Sequence, residues 1–363
     1  KQDADVEQAE SDMVFLGLQG MIDPPRSEVP QAVEDCREAG VKVVMATGDD
    51  ATTAEAIGDQ IGFRGDAMET AELQELDPVE DRDEIIEREI FARVTPEDKV
   101  KILKAHQDAG RNVAMTGNGV NDAPALKNAD VGVSMGKRGT DVAQQSSDMI
   151  VQDDNFASIR DAIEEGRGIS DNIRNSVNYL LSGNMGEVLT VFFGLLLGGM
   201  VFPEIFSSHD EALILTPMML LWINFISDGF PALALSTDPP TQGIMQKTES
   251  YRNRSLMDSE IIKSILYIGG ALALMGMPLF FTVLRTGGLQ AAQTSLFTFV
   301  VLMEMVRVQA VRSKLGHRLR DNRWVVASLG WAIALQLLLL YTPVSGVFGV
   351  DPLGLKAFGY MAI

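Results

Sequence analysis

Phosphate-binding and metal-binding residue types stand at the ends of three apolar runs in the first half of the chain. The residues concerned are Thr47, Gly48 and Asp49, then Lys99, and then Asn118 and Asp122. A threonine hydroxyl and a glycine N–H at the end of a strand can bind a phosphate group, whose charge a lysine neutralises. A carboxylate and an amide four residues apart on a glycine-rich turn offer the oxygen ligands that Mg²⁺ prefers. Together the three segments predict a site for phosphoryl transfer.

A second group of polar residues lies within apolar stretches of the second half. Its members are Asn184 and Glu187, then Asn224, Ser227 and Asp228, and finally Glu304. Ionisable residues inside a membrane are unfavourable and usually functional, although asparagine and serine also form hydrogen bonds between helices there. We expect the three carboxylates to converge on one cavity near the middle of the membrane. Glu304 is the weakest member, because Arg307 one helical turn away can pair with it.

The helix that carries Asp228 is predicted to break immediately after it. Gly229, Phe230 and Pro231 follow Asp228, and proline lacks a backbone donor and clashes with the preceding turn. Unwound backbone inside a membrane lines cavities and coordinates ions in transporters. All the candidate ligands are hard oxygens, which suits Ca²⁺, Mg²⁺ or an alkali ion and disfavours copper or zinc.

Short apolar runs alternate with helical patterns between residues 13 and 155. The predicted strands are 14–21, 41–47, 112–116, 131–135 and 150–151, and the predicted helices are 27–39, 51–61 and 96–108. This alternation predicts a parallel sheet with helices on both faces. Ligands of such sheets bind beyond the carboxyl ends of the strands, where the phosphate-binding segments stand.

Five apolar stretches in the second half are long enough, or nearly so, to span a membrane. They are 178–202, 212–236, 264–284, 294–311 and 324–342, and a sixth begins near Ala357. Lysine and arginine concentrate in the connecting segments 237–263 and 312–323. The positive-inside rule therefore predicts that these segments, and the first half of the chain, are cytoplasmic.

The chain is acidic, with 50 Asp and Glu against 30 Lys and Arg, and the first 175 residues carry the whole net charge of −20. The acidity argues against nucleic acid as a partner, since phosphate backbones need basic surfaces. It is typical of a protein from a salt-loving source, and equally of an ordinary acidic soluble domain. The single Cys36 excludes a disulfide within the chain.

Several longer motifs resemble a known family. DPPR at 23–26, TGD at 47–49, FARVTPEDK at 91–99 and TGNGVNDAPALKNADVGVSMG at 116–136 resemble the P-type ATPases. SGNMGE at 182–187 and LLWINFISDGFPA at 220–232 resemble the calcium-transporting (type II) subfamily. The resemblance implies an α/β haloacid-dehalogenase-like domain with a Rossmann-like parallel sheet, followed by an all-α bundle of transmembrane helices.

The same resemblance implies an organisation and an activity. Residues 1–155 would be the C-terminal part of the phosphorylation domain, 156–177 the cytoplasmic stalk of the fifth membrane helix, and 178–363 membrane helices five to nine with the start of ten. The family pumps cations with ATP and Mg²⁺ through a phospho-aspartate cycle, here with Ca²⁺ as the transported ion and H⁺ in exchange. The implied partners are membrane lipid and the missing N-terminal part of the same pump, and the implied location is the cell membrane of a prokaryote.

The resemblance also assigns roles to individual residues. The phosphoryl group would be handled by Thr47, Gly48, Asp49, Lys99 and Asn121. Mg²⁺ would be held by Asn118 and Asp122. The hinge to the nucleotide-binding domain would contain Asp23 and Arg26. The transported ion would be bound by Asn184, Glu187, Asn224, Ser227, Asp228 and Glu304.

Two departures from the family pattern leave alternatives open. The DKTGT motif with the phosphorylated aspartate does not occur in the chain, so we expect the chain alone to be inactive. Asn118 stands where the family normally has aspartate, which removes a charge from the Mg²⁺ site. The alternatives are a Na⁺/K⁺ or H⁺ pump and a catalytically degenerate, pump-like membrane protein.

Overall fold

The computed structural model of the protein describes residues 13–17, 19, 24–206, 213–246, 255–354 and 359. The chain divides into two compact units. The sheet-containing unit comprises the residues up to Arg37 together with Lys42–Ser158, and the helical unit comprises Glu38–Val41 and the residues from Ile159 onward.

Six short strands of the sheet-containing unit form two three-stranded parallel sheets. The strands are β1 (Met45–Ala46), β2 (Met68–Glu69), β3 (Ile90–Ala92), β4 (Ala114–Gly117), β5 (Val131–Met135) and β6 (Met149–Val151). The strand orders are β1-β3-β2 in one sheet and β4-β5-β6 in the other. The helices are α1 (Val29–Glu38), α2 (Ala51–Ile61), α3 (Thr70–Glu75), α4 (Arg82–Glu87), α5 (Pro96–Asp108), α6 (Ala123–Asn128) and α7 (Asp141–Gln145). The parallel α/β architecture expected from the sequence is confirmed.

The three helices predicted from the sequence in this unit are α1, α2 and α5, and strand β5 has the predicted bounds. The strand predicted at 14–21 is not observed. Residues 13–17 form no strand and their side chains are exposed, whereas Leu18, Gly20 and Met21 lie outside the described residues. An apolar run forms a strand only where its N–H and C=O groups find partners.

The helical unit contains the long apolar helices. They are α8 (Phe156–Val201), α9 (Pro203–Phe206), α10 (Pro217–Trp222), α11 (Gly229–Leu235), α12 (Ser259–Ser313), α13 (Arg323–Tyr341) and α14 (Ser345–Phe348). Four segments of the described chain are long and apolar enough to cross a membrane: α8, Pro217–Leu235, α12 and α13. The chain is therefore a membrane protein. The sixth span, expected near Ala357, lies outside the described residues.

Helix α12 contains two of the predicted spans. Gly288 interrupts it with φ 84° and ψ 178°, a backbone conformation outside the helical region. The spans predicted at 264–284 and 294–311 lie on either side of this glycine. The loop expected at 285–293 is thus a sharp reversal of the chain at Gly288. A residue with a side chain would rarely adopt this backbone conformation.

The break near Asp228 precedes that residue, so the predicted position was wrong. Residues Ile223–Ser227 form a π-helical turn between α10 and α11, and the Asp228 N–H donates to the Ile223 carbonyl at 2.9 Å. Pro231 lies in the first turn of α11. A proline is tolerated there because the first N–H groups of a helix have no partner within the helix.

Candidate functional site

The Thr47-Gly48-Asp49 turn is held against strand β3 and the residues that follow it. The Thr47 N–H donates to the Phe91 carbonyl at 2.9 Å, and the Thr47 carbonyl accepts from the Val94 N–H at 3.0 Å. The Thr47 hydroxyl donates to an Asp49 carboxylate oxygen at 2.8 Å and accepts from the Asp49 N–H at 3.1 Å. The turn is therefore ordered before any ligand binds, and Gly48 at its tip is exposed.

Lys99 is positioned by the start of helix α5. Thr95 caps this helix, Pro96 is its first residue, and the Asp98 side chain accepts from the Thr95 N–H at 2.9 Å. Burial alone would raise the pKa of Asp98, but the hydrogen bonds from Thr95 and Thr70 hold that pKa below its ordinary value. This capping box fixes the first turn of the helix and hence the direction of the Lys99 side chain.

Asp122 joins Lys99 to the glycine-rich loop after β4. The Lys99 ammonium lies 2.6 Å from one Asp122 carboxylate oxygen. The other oxygen accepts from the N–H groups of Asn118 at 3.0 Å and Gly119 at 2.9 Å. Burial alone would raise the pKa of Asp122, but the hydrogen bond from Lys99 and those from Gly119 and Asn118 hold the pKa below its ordinary value.

The oxygens of Asn118 and Asp122 are of the kind that Mg²⁺ prefers, and Asn118 is exposed where an ion could reach it. Within the described residues, no group of three or more histidine, cysteine or acidic side chains converges as a metal site. The donor set therefore fits Mg²⁺ only as part of a shell that phosphate oxygens and water complete.

The other predicted residues of this unit are less informative. Asn121 is exposed beside Asp122 in the short 3₁₀ turn Val120–Asp122. Arg26 is exposed, and Asp23 lies outside the described residues. Their predicted roles at the phosphate network and at the hinge stay predictions.

In the helical unit, helix α8 and the π-helical turn place two predicted ion ligands in contact. The Asn224 amide donates to a Glu187 carboxylate oxygen at 3.1 Å. Glu187 is buried, whereas Asn224 is exposed and also donates to the Leu220 carbonyl at 2.9 Å. Asn184 lies one turn before Glu187 on α8 and is partly buried.

Asp228, at the end of the π-helical turn, and Glu304, on α12, are both fully buried. Their exposed fractions are 1% and 0%. The Tyr179 hydroxyl donates to an Asp228 oxygen at 3.4 Å. The Glu304 carboxylate also pairs with the Arg307 guanidinium.

Five buried oxygens of this group have no hydrogen-bond partner within the described part of the chain. They belong to Asn184, Glu187, Ser227, Asp228 and Glu304. A buried polar atom without a partner costs about 1–3 kcal/mol, so these oxygens need protons or a cation as partners. Within the described residues no three acidic side chains meet as a ready-made metal site, so the convergence of the three carboxylates on one cavity stays a prediction.

The predicted site residues did not include Tyr179, Ser182 and Gly183 of helix α8. Tyr179 is fully buried and contacts Asp228, and Ser182 accepts from Arg307 at 2.7 Å. A signal was present, since small residues such as serine and glycine are typical of close contacts between membrane helices.

Comparison with known proteins agrees with both units. Residues 2–130 match the family described as haloacid dehalogenase-like hydrolase, and residues 212–363 match the family described as cation transporting ATPase, C-terminus. The chain is 40% identical over 346 residues to the calcium-transporting ATPase of Bacillus subtilis, a match that covers 93% of this chain and 38% of that protein. It is 37% identical over 383 residues to calcium-transporting ATPase 1 of Bacillus cereus, covering 99% of this chain and 42% of the relative.

A third relative gives the same result. The chain is 38% identical over 361 residues to calcium-transporting ATPase 1 of Yarrowia lipolytica, covering 96% of this chain and 38% of that protein. It thus spans 38–42% of the length of these three relatives. A hydrolase-like α/β unit followed by the membrane helices of a cation transporter is the arrangement of the P-type ATPases, and the chain belongs to that family.

Proposed function

We propose that this chain is part of a pump that moves Ca²⁺ across a membrane, driven by ATP through a phospho-aspartate cycle, with H⁺ moving in exchange. The observation that carries the proposal is the set of five buried oxygens without partners, contributed by α8, the π-helical turn with Asp228, and α12. All are hard ligands, and three belong to carboxylates, a set that suits a divalent ion better than Na⁺ or K⁺. The related calcium-transporting ATPases support the same ion.

In the ion site, we assign ligand roles to Asn184, Glu187, Asn224, Ser227, Asp228 and Glu304. The Asn224 amide donates a hydrogen bond to Glu187, and this bond would fix the orientation of the Glu187 carboxylate. An entering ion would then bind to an oxygen of that carboxylate. Three buried carboxylates repel one another when no cation is bound. Protons are then the available counterions, and their displacement by Ca²⁺ would produce the countertransport of H⁺.

In the sheet-containing unit, we assign phosphoryl binding to Thr47 and Gly48, with Asp49 orienting the Thr47 hydroxyl through their 2.8 Å hydrogen bond. Lys99 would leave Asp122 to neutralise the phosphoryl group, and Asn121 would support the phosphate network. Asn118 and Asp122 would hold Mg²⁺, which supplies charge neutralisation for phosphoryl transfer when bound.

The remaining assignments complete the proposal. Residues 1–155 would act as the C-terminal part of the phosphorylation domain, 156–177 as the stalk, and 178–363 as the membrane domain with helices five to nine. Asp23 and Arg26 would lie at the hinge to a nucleotide-binding domain. We place the pump in the cell membrane of a prokaryote, with the sheet-containing unit in the cytoplasm and the membrane lipid around the helices.

The test is phosphorylation of the complete pump by labelled ATP. We expect acid-stable phosphoprotein when Ca²⁺ and Mg²⁺ are present and little when Ca²⁺ is chelated. Phosphorylation that requires Na⁺ or K⁺, or that proceeds equally with Mg²⁺ as the only added metal ion, would instead identify one of the rival pumps. Failure to phosphorylate under any of these conditions would identify a catalytically degenerate protein.

Asn118 is the specific observation that favours the degenerate alternative. If the amide weakens Mg²⁺ binding, Asn118→Asp should lower the Mg²⁺ concentration that gives half-maximal turnover, because it restores a charged ligand. Asn112→Asp is a suitable control, since it adds the same charge at an exposed position just before strand β4. Unchanged or lower turnover in Asn118→Asp would mean that the protein is adapted to the amide.

A further inference from the structure

Trp222 is the last residue of helix α10 and stands directly before the π-helical turn Ile223–Ser227. That turn contributes Asn224 and Ser227 to the proposed ion site and leads into Asp228. A π-helical turn is rare and inserts one extra residue, so a slip back to a regular helix would rotate the residues after the turn relative to those before it. The direction of the proposed ligands therefore depends on the contacts that fix this register.

The contact on the C-terminal side of the turn involves a proposed ligand. The Tyr179 hydroxyl donates to an Asp228 carboxylate oxygen at 3.4 Å, which is long for a hydrogen bond between oxygens. A bound ion would compete with this tyrosine for the same carboxylate. Asp228 by itself therefore does not provide a register that stays the same with and without the ion, and a permanent reference has to come from the N-terminal side.

On the N-terminal side, the Trp222 indole begins a chain of hydrogen bonds across three helices. Its Nε1–H donates to the side-chain oxygen of Gln336 on α13 at 3.1 Å. The Gln336 amide nitrogen donates in turn to the hydroxyl of Thr298 on α12 at 3.3 Å. Gln336 and Thr298 are buried, with exposed fractions of 4% and 2%. The chain thus ties the end of α10 to the part of α12 that also carries Glu304.

The chemistry of these three side chains fixes how they are arranged. An indole N–H can only donate, so the Gln336 oxygen must face Trp222 and its nitrogen is left to face Thr298. All three residues lie on segments that are apolar enough to cross a membrane. The interior of a membrane has no water to replace a lost partner, and an unsatisfied polar group there is strongly unfavourable. The two hydrogen bonds are therefore expected to persist.

Packing also fixes the Trp222 ring. It meets the Phe348 ring of α14 edge to face, with ring centres 5.2 Å apart and an angle of 81° between the planes. Both rings pack against the apolar core that contains the fully buried Ile223, the first residue of the π-helical turn. The Trp222 side chain is thus held by a hydrogen bond and by a ring contact, and neither involves a proposed ion ligand.

We propose that Trp222 and Gln336 are positioning residues of the ion site. Through their hydrogen bond, which Thr298 supports, they fix the register of the π-helical turn and hence the direction of Asn224 and Asp228. They act through those ligands and do not contact the ion themselves. This inference rests on the proposed function, because it explains how the same ion site keeps its geometry before an ion arrives.

The experiment measures phosphorylation of the complete pump by labelled ATP as a function of Ca²⁺ concentration, in the wild type and in Trp222→Phe. Phenylalanine keeps an aromatic ring but has no N–H. We expect the half-saturating Ca²⁺ concentration to rise at least about fivefold, which is the lower end of the usual coupling between two sites. The half-saturating ATP concentration should not change, because the altered register is confined to the ion site.

A merely structural role gives a different result. A variant that only destabilises the pump would reduce the amount of phosphoprotein and leave both half-saturating concentrations as they are. This outcome would overturn the inference and leave the proposed function intact. A wild-type pump that is phosphorylated without Ca²⁺ would overturn the proposed function, and the inference with it.

Trp331→Phe is the matched control, because it makes the same exchange at a residue of α13 that is 55% exposed. Its half-saturating Ca²⁺ concentration should equal that of the wild type. A shift as large as that of Trp222→Phe would mean that the loss of any tryptophan has this effect, and would overturn the proposal.

Gln336→Leu removes the same hydrogen bond from the other side, and it provides the same test if Trp222→Phe does not fold. We expect it to raise the half-saturating Ca²⁺ concentration by a similar factor. If the bond carries the effect, the double variant should need no more Ca²⁺ than the more affected single variant. Effects that multiply in the double variant would overturn the proposal.

Discussion

Replacement of Gly117 by alanine tests whether the Asp122 carboxylate organises the glycine-rich loop. A Cβ atom at Gly117 would lie 2.4 Å from the Asp122 Cβ and 2.8 Å from its Cγ. Gly117 is the last residue of β4 and does not have a positive φ, so alanine is strained there only by lack of space. Because the overlapping atoms lie next to the Asp122 backbone, the side chain cannot avoid the collision by rotating its far end.

The cost follows from what Asp122 would lose. Its carboxylate accepts two backbone N–H groups and the Lys99 ammonium, at distances of 2.6–3.0 Å. A hydrogen bond to a charged group contributes about 1.5–3 kcal/mol, and overpacking costs about 1–3 kcal/mol. Partial loss of these contacts should therefore raise the free energy of the loop by about 2–4 kcal/mol. That corresponds to roughly 30-fold to 1000-fold more frequent local opening.

Amide hydrogen exchange measured by mass spectrometry is the direct assay. Peptides that contain Asn118 and Gly119 should exchange faster in Gly117→Ala by a factor in that range. Gly119→Ala is the matched control in the same loop, since its Cβ would approach Asp122 no closer than 3.5 Å. Equal exchange in the two variants would refute the view that Asp122 holds the loop.

Three further predictions concern buried ionisable side chains. His106 is buried beside Arg111, and burial, followed by the charges of Arg111 and Lys42, lowers its pKa to about 4. Between about pH 6.5 and 4 the unfolded state therefore binds a proton that the folded state does not. The free energy of unfolding should fall by about 1–2 kcal/mol as the pH drops through that window. His106→Leu should remove this part of the pH dependence in thermal unfolding, and an unchanged pH profile would contradict the prediction. In the complete pump, Asp228→Asn should raise the half-saturating Ca²⁺ concentration at least about 100-fold, because ligand charge tunes Ca²⁺ affinity. Glu304→Gln should raise that concentration less than about tenfold. The reverse order would mean that the ion binds beside Glu304. Asp238→Ala should destabilise the helical unit by about 3–5 kcal/mol in thermal unfolding. The Asp238 carboxylate lies 2.9 Å from the fully buried Arg312 guanidinium, and its removal leaves that charge without its ionic partner. An unshifted unfolding midpoint would contradict this prediction.

Local signals explain what the sequence predicted well. Helix α5 was predicted with its observed bounds because Thr95, Pro96 and Asp98 form a capping box and a proline start within four residues. Strand β5 was likewise predicted with its observed bounds, from a short and mostly apolar run. Strands β2 and β3 were missed, because they have only two and three residues and owe their existence to partners distant in the sequence.

The candidate ion site shows the same limit. The charged members were visible as isolated acids in apolar stretches, and the Arg307–Glu304 pair was visible because it lies within one helical turn. The groups that receive Arg307 were not visible. Tyr179 and Ser182 lie 128 and 125 residues away from it in the chain, and no periodic pattern in one sequence links such positions.

The misplaced break has a consequence for how Asp228 is presented. A π-helical turn inserts one extra residue into the helix, and the Asp228 N–H accordingly reaches back five residues to Ile223. The regular pattern resumes at once, since the Asp228 carbonyl accepts from the Ala232 N–H at 2.9 Å. In a regular helix the Ser227 carbonyl would accept from the N–H of residue 231, but that residue is proline and has no N–H. The proline and the π-helical turn therefore act together. The turn rotates the Asp228 side chain, and the proline removes the N–H that would bind the Ser227 carbonyl in a regular helix. The Ser227 hydroxyl is buried and has no hydrogen-bond partner within the described residues.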